Sequence, residues 1–435
     1  MIEGQTSIFE MLYPTYKITK PIRLIEFFAG YGSQALALKY LGVNFEHWKI
    51  CEWAVKSIQA YKDIHFENDD TDYSKDLTLK QVKEYLFKKG ISSNYNDPMS
   101  EKQVSRLSEH QARTIYNNII ATHNLVNIQQ VKGADLEIKD TDQYDYILTY
   151  SFPCQDLSLA GTRKLMSDTS TRSGMLWEVE RILTELEEKP EILLMENVPQ
   201  VHGEGAKEDF NKWQLRLEEL GYKNYWQDLI ATDYGIPQTR NRCFMVSVLG
   251  DYNYTFPKPI KLDKKLKDFL EDNVEEKYYL SDKQIQDIQS WNAYEKPLEN
   301  MEKTDKTNIS PTLTTRSGAY AAGMILVKNA NSKGYLEAVD GDGIDLLQPN
   351  SETRRGRVQK EAIQTLDTMG GNGKGVVLDD LRIRKLTPKE CFRLMGVKDE
   401  DYDKVVKNQS DSSLYHLAGD SIVVNVLIAI FKEMV

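Results

Sequence analysis

Long apolar runs and closely spaced cysteines are both missing from this 435-residue chain. No apolar run approaches the roughly 20 residues that a membrane-spanning helix needs. The first residues also lack the basic-then-apolar layout of a signal peptide. No two cysteines form a CxxC metal or redox pair. The cysteines are Cys51, Cys154, Cys243 and Cys391. We therefore expect a cytoplasmic protein that holds no metal and contacts no membrane.

An excess of basic residues is missing as well. The chain has 55 Lys and Arg against 66 Asp and Glu, a formal net charge of −11 at pH 7. This balance excludes a surface that is basic all over, so a nucleic acid would have to meet a local basic patch. The length is sufficient for a full α/β domain and a second, smaller domain, each with its own core.

Strand-like and helix-like segments alternate through the first half of the chain. From Ile22, the run IRLIEFFAGYGSQALALKYLG is typical of a buried strand, a glycine turn and a helix with apolar spacing near 3.6. Helical stretches separate the further strand-like runs YDYILTYS, EILLMENV and NRCFMVSVLG. This alternation predicts an α/β fold with a doubly wound, mostly parallel, Rossmann-like sheet.

Changes in composition divide the chain into segments. Residues 1–249 are expected to form the first domain, with an inserted helical segment at about residues 71–131 to which the sequence assigns no function. Residues 250–380 are expected to form the second, smaller domain. Two similar pieces there, T-L-T-T at Thr312 and T-L-D-T at Thr365, are either a weak repeat or two similar hairpins. Residues 381–435 are expected to return to the first domain.

The glycine turn FAGYGSQA predicts a site for an adenosine-containing ligand. Gly30, Gly32 and Ala35 fit G-x-G-x-x-A after a strand, and Glu52 ends the next strand-like run about 20 residues on. Glycines let the backbone approach a ligand, and the carboxylate accepts hydrogen bonds from ribose hydroxyls. Trp53 would stack on a base or would simply belong to the core. These residues alone fit an NAD-dependent dehydrogenase as well as a methyltransferase that uses S-adenosylmethionine.

Further motifs in a fixed order separate these alternatives. They are CEWAVKSIQAY, GADLEI, SFPCQDLSLAG, RSGMLWEVERIL, MENVP, YGIPQTRNRCFMV, RKLTPKECFRLMGV and LAGDSIVVNV, after FFAGYGS. With them the chain resembles the DNA cytosine-5 methyltransferase family over most of its length outside the helical insert and residues 250–380. The resemblance implies transfer of a methyl group from S-adenosylmethionine to C5 of a flipped-out cytosine in a specific duplex DNA site.

Two other functions stay open at this point. An RNA cytosine-5 methyltransferase is the alternative, because the catalytic motifs suit an RNA base equally well, although the long variable region before RKLTPKE favours DNA. A catalytically dead DNA-binding protein or an NAD-binding enzyme is the third. The presence of Cys154, Glu196 and Arg242 together argues against that third function.

The resemblance implies four catalytic residues. Cys154, in SFPCQ, would add to cytosine C6 as a thiolate, which makes C5 nucleophilic. Glu196, in MENVP, would hold N3 and the exocyclic amine of the base. Arg240 and Arg242, in QTRNR, would hold the base O2 and a nearby phosphate. Each residue also has a purely structural alternative. Cys154 would be a buried thiol, Glu196 an exposed carboxylate at a strand end, and the two arginines one face of a strand.

The resemblance also implies a cofactor site. Its residues would be Phe28, Gly30, Gly32, Glu52, Trp53, Asp135, Leu136, Pro153 and Ser421. Asp135 would contact the adenine amino group, and Trp53 and Leu136 would flank the adenine ring. Ser421 would contact the methionine part of the cofactor. Two short stretches depart from the family: Y-G-S replaces x-G-G, and G-D-S replaces G-N-S. Asp420 thus brings a charge where the family has an amide, and its contribution stays open.

Residues 250–380 occupy the position of the family's target-recognition domain. Guanine edges or phosphates would be contacted by Arg316, Arg354, Arg355 and Arg357. A solvated charged loop is the alternative for the last three. The stretch LRIRKLTPKECFR adds a second basic strip. We expect a monomer that binds double-stranded DNA, with any cognate restriction endonuclease acting separately.

Overall fold

The computed structural model describes residues 13–152, 173–288, 325–368, 373–379 and 382–435. The first strands are β1 (Ile22–Phe27), β2 (Phe45–Cys51), β3 (Asp145–Tyr150), β4 (Ile192–Asn197), β5 (Tyr222–Ile230) and β6 (Asn241–Leu249). They form a six-stranded sheet in the order β2-β1-β3-β4-β6-β5. The pairs β1/β2, β1/β3 and β3/β4 are parallel, whereas β6 is antiparallel to both β4 and β5. The predicted α/β fold with a mostly parallel sheet is confirmed.

Helices pack on both faces of this sheet. The α-helices of the described ranges are α1 (Ser33–Leu41), α2 (Val55–His65), α3 (Leu79–Lys89), α4 (Glu101–Ser105), α5 (Glu109–Ala121), α6 (Leu176–Glu185), α7 (Lys207–Glu219), α8 (Asp282–Ile288), α9 (Pro388–Leu394), α10 (Asp399–Val405), α11 (Asp411–Asp420) and α12 (Val424–Lys432). Ile192 and Leu194 of β4 join the core cluster that contains α1 and α12. Leu193 and Met195 join the cluster of α6 and α7 on the opposite face. Burial on both faces explains the continuous apolar runs of the central strands.

Helices α3, α4 and α5 occupy the segment that the sequence predicts as a helical insert. Each begins at a capping box, with Thr78, Ser100 and Ser108 as the N-cap residues. Their apolar side chains form a separate small core, in which Ile58 of α2 takes part. The segment is thus attached to the sheet domain through α2. The limits at about residues 71 and 131 stay a prediction.

Short antiparallel strands form most of the second region. They are β7 (Ile325–Lys328), β8 (Tyr335–Ala338), β9 (Gly343–Asp345), β10 (Val358–Gln359), β11 (Lys374–Val377) and β12 (Ile383–Lys385). β7 pairs with β8, and the others form a sheet in the order β10-β9-β11-β12. β12 lies after residue 380, so the small sheet takes a strand from the C-terminal segment. The domain boundary at residue 380 stays a prediction.

The C-terminal helices belong to the core. The segment Asp411–Lys432 is long and apolar enough to cross a membrane, by length and composition alone. This differs from the expectation that no apolar segment approaches that length. However, 72% of its most apolar window is buried inside the protein, and α12 packs against α1. The apolar residues therefore serve the packing that was expected of the returning C-terminal segment.

Candidate active site

A cavity of about 420 Å³ lies at the carboxyl ends of the parallel strands. Phe28 follows β1, Glu52 follows β2 and Phe152 follows β3, and all three line the cavity. Asn197, which ends β4, and Arg242, near the start of antiparallel β6, complete this wall. Ligands of open α/β sheets bind outside the carboxyl ends of the strands. The cavity is therefore the candidate active site.

The turn between β1 and α1 presents main chain to the cavity. Gly30 lines it, has a φ of 57°, and has open space where a Cβ atom would be. Gly32, with a φ of 84°, does not line the cavity. A Cβ atom there would collide with the side chains of Tyr61 and His65. Gly30 therefore allows a ligand to approach, whereas Gly32 is needed for the turn and for helix packing.

Glu52 is fixed at the cavity by hydrogen bonds on both sides of its carboxylate. Gly30 N–H donates to Oε2 at 3.0 Å and Ala54 N–H donates to Oε1 at 2.7 Å. The side chain of Asn124 holds the Glu52 main chain, accepting from its N–H and donating to its C=O. Burial raises the pKa of Glu52 to about 7 against the effect of the two N–H donors. Sequence reasoning found Glu52 but not Asn124, which no local motif marks.

Glu196 and Arg242 form an ion pair that also lines the cavity. Arg242 Nε lies 3.1 Å from Glu196 Oε1. Burial raises the pKa of Glu196, and the positive charges of Arg242 and Arg240 oppose this rise. A buried carboxyl with a raised pKa retains a proton more readily than one in water, so it can donate a hydrogen bond to a ligand nitrogen.

Arg240 binds main-chain carbonyls beside the cavity. Its Nη1 donates to the carbonyl of Leu366 at 2.9 Å, and its Nη2 donates to those of Gly419 at 3.1 Å and Ser421 at 2.7 Å. The side chain lines the cavity, but these carbonyls take up its Nη donors. The expected contact of Arg240 with the base O2 or a nearby phosphate stays a prediction. Arg240 ties the C-terminal turn to the start of β6.

Besides Gly32, three expected cofactor residues do not line the cavity. Asp135 is exposed and accepts a hydrogen bond from Lys132 N–H at 2.8 Å within its own turn. Leu136 is fully buried in the core because this turn packs against α6. The Ser421 hydroxyl donates to the Leu417 carbonyl. The corresponding wall is instead made by Val126, Asn127, Ile128 and Gln129. Trp53, in contrast, does line the cavity.

The predicted nucleophile Cys154, with Pro153, lies outside the described residues. The chain that leads to it is at the cavity, since Ser151 and Phe152 line the wall. Asn197 Nδ2 donates to the Phe152 carbonyl at 3.0 Å, and its Oδ1 accepts from the N–H of the next residue. Asn197 thus fixes the end of β3, a positioning contact that sequence reasoning did not assign.

The other cysteines are unsuited to nucleophilic chemistry. Cys51, Cys243 and Cys391 are all buried. Burial raises the pKa of the Cys51 and Cys243 thiols far above the ordinary value. A reactive thiol needs the opposite shift, which positive charge or a helix N-terminus produces.

One cluster within the described ranges has side chains of metal-ligand type. His202, Asp228 and Cys243 offer ligand atoms that lie within 4.8 Å of one another. His202 Nε2 is already hydrogen-bonded to Asp228, at 2.9 Å from Oδ1 and 3.1 Å from Oδ2. None of the three lines the cavity. The contact between His202 and Asp228 accounts for this cluster without an ion.

The arginines expected to contact DNA occupy different environments. Arg354 Nε donates to Asp345 Oδ2 at 3.0 Å. Arg357 is 1% exposed, and its guanidinium donates to the carbonyls of Asp345, Leu347 and Gln348. This burial corrects the expectation that Arg357 is available to DNA. Arg355 is exposed. Arg316 lies outside the described residues.

Comparisons with known proteins agree with the fold and the motifs. A family model described as C-5 cytosine-specific DNA methylase matches residues 88–435. The chain is 34% identical to the type II methyltransferase M2.ScrFI of Lactococcus lactis subsp. cremoris, covering 95% of this chain and 99% of that protein. It is 32% identical to the orphan methyltransferase M.SssI of Spiroplasma monobiae, covering 96% and 98%.

Solved structures share the fold at low sequence identity. The S. pombe Dnmt2 methyltransferase has a TM-score of 0.51 and 14% identity, over 95% of this chain and 98% of that one. The family model covers more than half of the chain, and two relatives exceed 30% identity over nearly their whole length. The chain therefore belongs to the C-5 cytosine-specific DNA methylase family and is a DNA methyltransferase, as its motifs predict.

Proposed function

We propose that this protein transfers a methyl group from S-adenosylmethionine to C5 of a cytosine flipped out of a specific double-stranded DNA site. The observation that carries the proposal is one cavity shared by two sets of residues. Gly30 and Glu52 suit an adenosine ligand, whereas Glu196 and Arg242 suit a pyrimidine base. Its volume of about 420 Å³ is in the range of small-molecule sites.

The charges of the cavity favour S-adenosylmethionine over NAD. Glu52, Glu196 and Asp420 all line it, and the charge of Asp420 raises the pKa of both glutamates. Asp420, together with Glu52 in its ionised form, suits a cationic sulfonium better than a pyrophosphate. Of the two lining arginines, Arg242 pairs with Glu196, whereas Arg240 binds main-chain carbonyls and keeps its positive charge. When bound there, S-adenosylmethionine supplies an electrophilic methyl group.

The residues around the base make C5 reactive. The Cys154 thiolate adds to cytosine C6 while Glu196 gives its proton to N3, so that C5 becomes enamine-like and accepts the methyl group. S-adenosylhomocysteine is the leaving group of the methyl transfer. A water molecule acting as base then takes the C5 proton while the thiolate leaves C6, and N3 returns its proton to Glu196. Arg242 orients Glu196 through Nε. The role of Cys154 rests on the SFPCQ motif, since this residue lies outside the described ranges.

Duplex DNA is the proposed substrate, and RNA is the less favoured alternative. The matching family model is described as a DNA methylase, and its match includes residues 250–380, the proposed target-recognition domain. A base in a duplex cannot reach the cavity unless it is flipped out, at a cost of about a few kcal/mol. We further propose that the enzyme acts in the cytoplasm as a monomer, without a membrane, and that any cognate endonuclease is a separate protein.

Methylation in a heterologous host tests the reaction. The chain is expressed in cells that lack cytosine-5 methylation, and both the genome and the RNA are sequenced by a method that reads 5-methylcytosine. We expect one short DNA motif to be modified throughout the genome, and Glu196→Gln to reduce this modification strongly. Modified RNA with an unmodified genome would support the RNA alternative. No modified cytosine in either, with folded protein present, would contradict the proposal.

Ligand binding tests the cofactor separately. Purified protein is heated with S-adenosylhomocysteine or with NAD, and we expect only the former to raise the melting temperature. A rise in melting temperature with NAD but not with S-adenosylhomocysteine would contradict the proposed methyltransferase reaction.

A further inference from the structure

The turn at residues 126–131 forms one wall of the candidate active site. Four of its residues line the cavity: Val126, Asn127, Ile128 and Gln129. The φ of Val126 is 70°, in the left-handed region, which is unfavourable for a β-branched residue. Such a backbone conformation persists only where the surrounding contacts hold it. The wall turn, as we name residues 126–131, therefore depends on support from the rest of the protein.

The side chain of Asn124 supports the first end of the wall turn. Its Oδ1 accepts hydrogen bonds from the N–H groups of Val126 at 2.8 Å and Glu52 at 3.1 Å. Cys51 Sγ–H donates to the Val126 carbonyl at 3.4 Å. This end of the wall turn is thus tied to the end of β2 and to Glu52.

Arg181, on α6, supports the other end of the wall turn. Its Nη2 donates to the carbonyls of Ile128 at 3.3 Å and Val131 at 2.8 Å. Its Nε donates to Glu178 and its Nη1 to Glu185, both at 2.8 Å. The planar guanidinium thus has a partner at each of its three nitrogens. Arg181 does not line the cavity, so it can affect a ligand there only through the groups that it holds.

The chain that follows the wall turn is also fixed to α6. Glu185 Oε2 accepts a hydrogen bond from Gly133 N–H at 2.7 Å. A Cβ atom at Gly133 would lie 2.8 Å from the Glu185 Cβ and 3.1 Å from the Ile182 carbonyl oxygen, so this close approach requires glycine. Gly133 begins the GADLEI motif, and Arg181 belongs to RSGMLWEVERIL. The two motifs therefore act together as a support for the cavity wall.

We propose that Arg181 is a positioning residue for the cofactor, which holds the wall turn in the conformation that binds S-adenosylmethionine. This inference rests on the proposed function. Without the guanidinium, the carbonyls of Ile128 and Val131 lose this donor, and the unfavourable backbone at Val126 is held at one end only. The ligand-free protein would then populate other conformations of the wall turn. The apparent affinity falls in proportion to the fraction of protein that keeps the binding conformation.

Calorimetric titration of the full chain with S-adenosylhomocysteine tests this role. Arg181→Ala should weaken binding about tenfold, which corresponds to about one tenth of the protein in the binding conformation. Arg181→Lys should weaken it about threefold or more, because one ammonium cannot serve two carbonyls and two carboxylates at once. Arg216→Ala is the matched control, since Arg216 Nε donates to Glu180 of the same helix at 2.8 Å. Its affinity should equal that of the wild type.

A split between KM and kcat separates positioning from chemistry. In methylation assays, Arg181→Ala should raise the KM for S-adenosylmethionine about tenfold, whereas kcat at saturation should stay within about twofold of the wild type. A lower kcat with an unchanged KM would refute the positioning role.

Hydrogen exchange, read by mass spectrometry, tests whether Arg181 acts through the wall turn. The amides of residues 126–131 should exchange faster in Arg181→Ala but not in Arg216→Ala, and those of β4 should be unchanged in both. In a double-mutant cycle, Arg181→Ala should weaken S-adenosylhomocysteine binding less in an Ile128→Ala background than in the wild type. Unchanged exchange in the wall turn, or additive effects on binding, would contradict this route. Melting temperatures without ligand show whether each variant is folded.

The outcomes distinguish this inference from the proposed function. If the wild type binds S-adenosylhomocysteine and the Arg181 variants bind it equally well, the positioning role is wrong and the proposed function stands. If Arg181→Ala does not fold, Arg181→Lys decides in the same way. If the folded wild type does not bind S-adenosylhomocysteine, the proposed function fails, and the positioning role fails with it.

Discussion

Lowering the pH below 7 should weaken the binding of S-adenosylhomocysteine, because the Glu52 carboxyl takes up a proton in this range. The pKa of Glu52 is raised to about 7, chiefly by burial, and the charge of Asp420 contributes to the rise. The ionised carboxylate already accepts from the N–H groups of Gly30 and Ala54 and still has lone pairs for ribose hydroxyls. Protonation removes part of this acceptor capacity. Affinity should therefore follow the ionised fraction of Glu52.

The expected size follows from the pKa. At pH 6, about one tenth of Glu52 is ionised, so the dissociation constant should be about tenfold higher than at pH 8.5. The stability of the ligand-free protein should change in the opposite direction. Because the folded pKa of about 7 lies above the ordinary 4.5, the free energy of unfolding falls as the pH rises from 4.5 to 7. This change is about 3 kcal/mol at most.

Two glutamine variants separate ligand binding from stability. Glu52→Gln should abolish the pH dependence of binding in calorimetric titrations between pH 6 and pH 8.5. Glu26→Gln is the matched control, because burial also raises the pKa of Glu26 to about 7, yet this residue does not line the cavity. It should alter the pH dependence of stability but not that of binding. An affinity that is constant across this range in the wild type, or unchanged pH dependence in Glu52→Gln, would refute the reasoning.

Three further predictions separate positioning, DNA binding and folding. Asn197→Ala removes the hydrogen bond to the Phe152 carbonyl, so kcat should fall about 10- to 100-fold in kinetic assays. A parallel loss of S-adenosylhomocysteine affinity would contradict this. Arg355→Ala should weaken DNA binding and lower its salt slope by about one, whereas Arg357→Ala should lower the free energy of unfolding by about 2–4 kcal/mol in urea titrations. If Arg355→Ala instead lowered stability and Arg357→Ala weakened DNA binding, the roles assigned to these two arginines would be wrong. Arg240→Ala should reduce both thermal stability and cofactor affinity. A loss of activity with unchanged stability and cofactor affinity would instead indicate that Arg240 contacts the base.

The sheet and two parts of the cavity could be predicted from the sequence because local pattern determines them. An apolar run followed by a glycine turn marks β1 and Gly30, and Glu52 directly follows the strand-like run of β2. The MENVP and QTRNR motifs likewise mark Glu196 and Arg242, which the structure brings together at 3.1 Å. In each of these cases the side chain lies at a strand end, where the fold fixes its direction.

Roles that depend on distant packing could not be predicted in this way. Arg240 directly precedes β6 and Arg242 lies on it, and only the folded chain shows that Arg240 contacts the carbonyls of a turn about 180 residues later in the sequence. Arg357 stands in a basic run typical of an exposed loop, yet it is buried under carbonyls of the preceding turn. Arg181 belongs to a helical motif, and its contact with the wall turn depends on how α6 packs.

Trapping with 5-fluorocytosine tests the central claim most directly. Once the recognised motif is known, a duplex with 5-fluorocytosine at the target should form a covalent adduct with the enzyme, because fluorine cannot leave C5 as a proton. The account predicts an adduct that requires S-adenosylmethionine, survives denaturation, maps to a peptide containing Cys154 and is absent from Cys154→Ser. An enzyme that methylates the motif but forms no adduct, or an adduct at Cys51, Cys243 or Cys391, would contradict it.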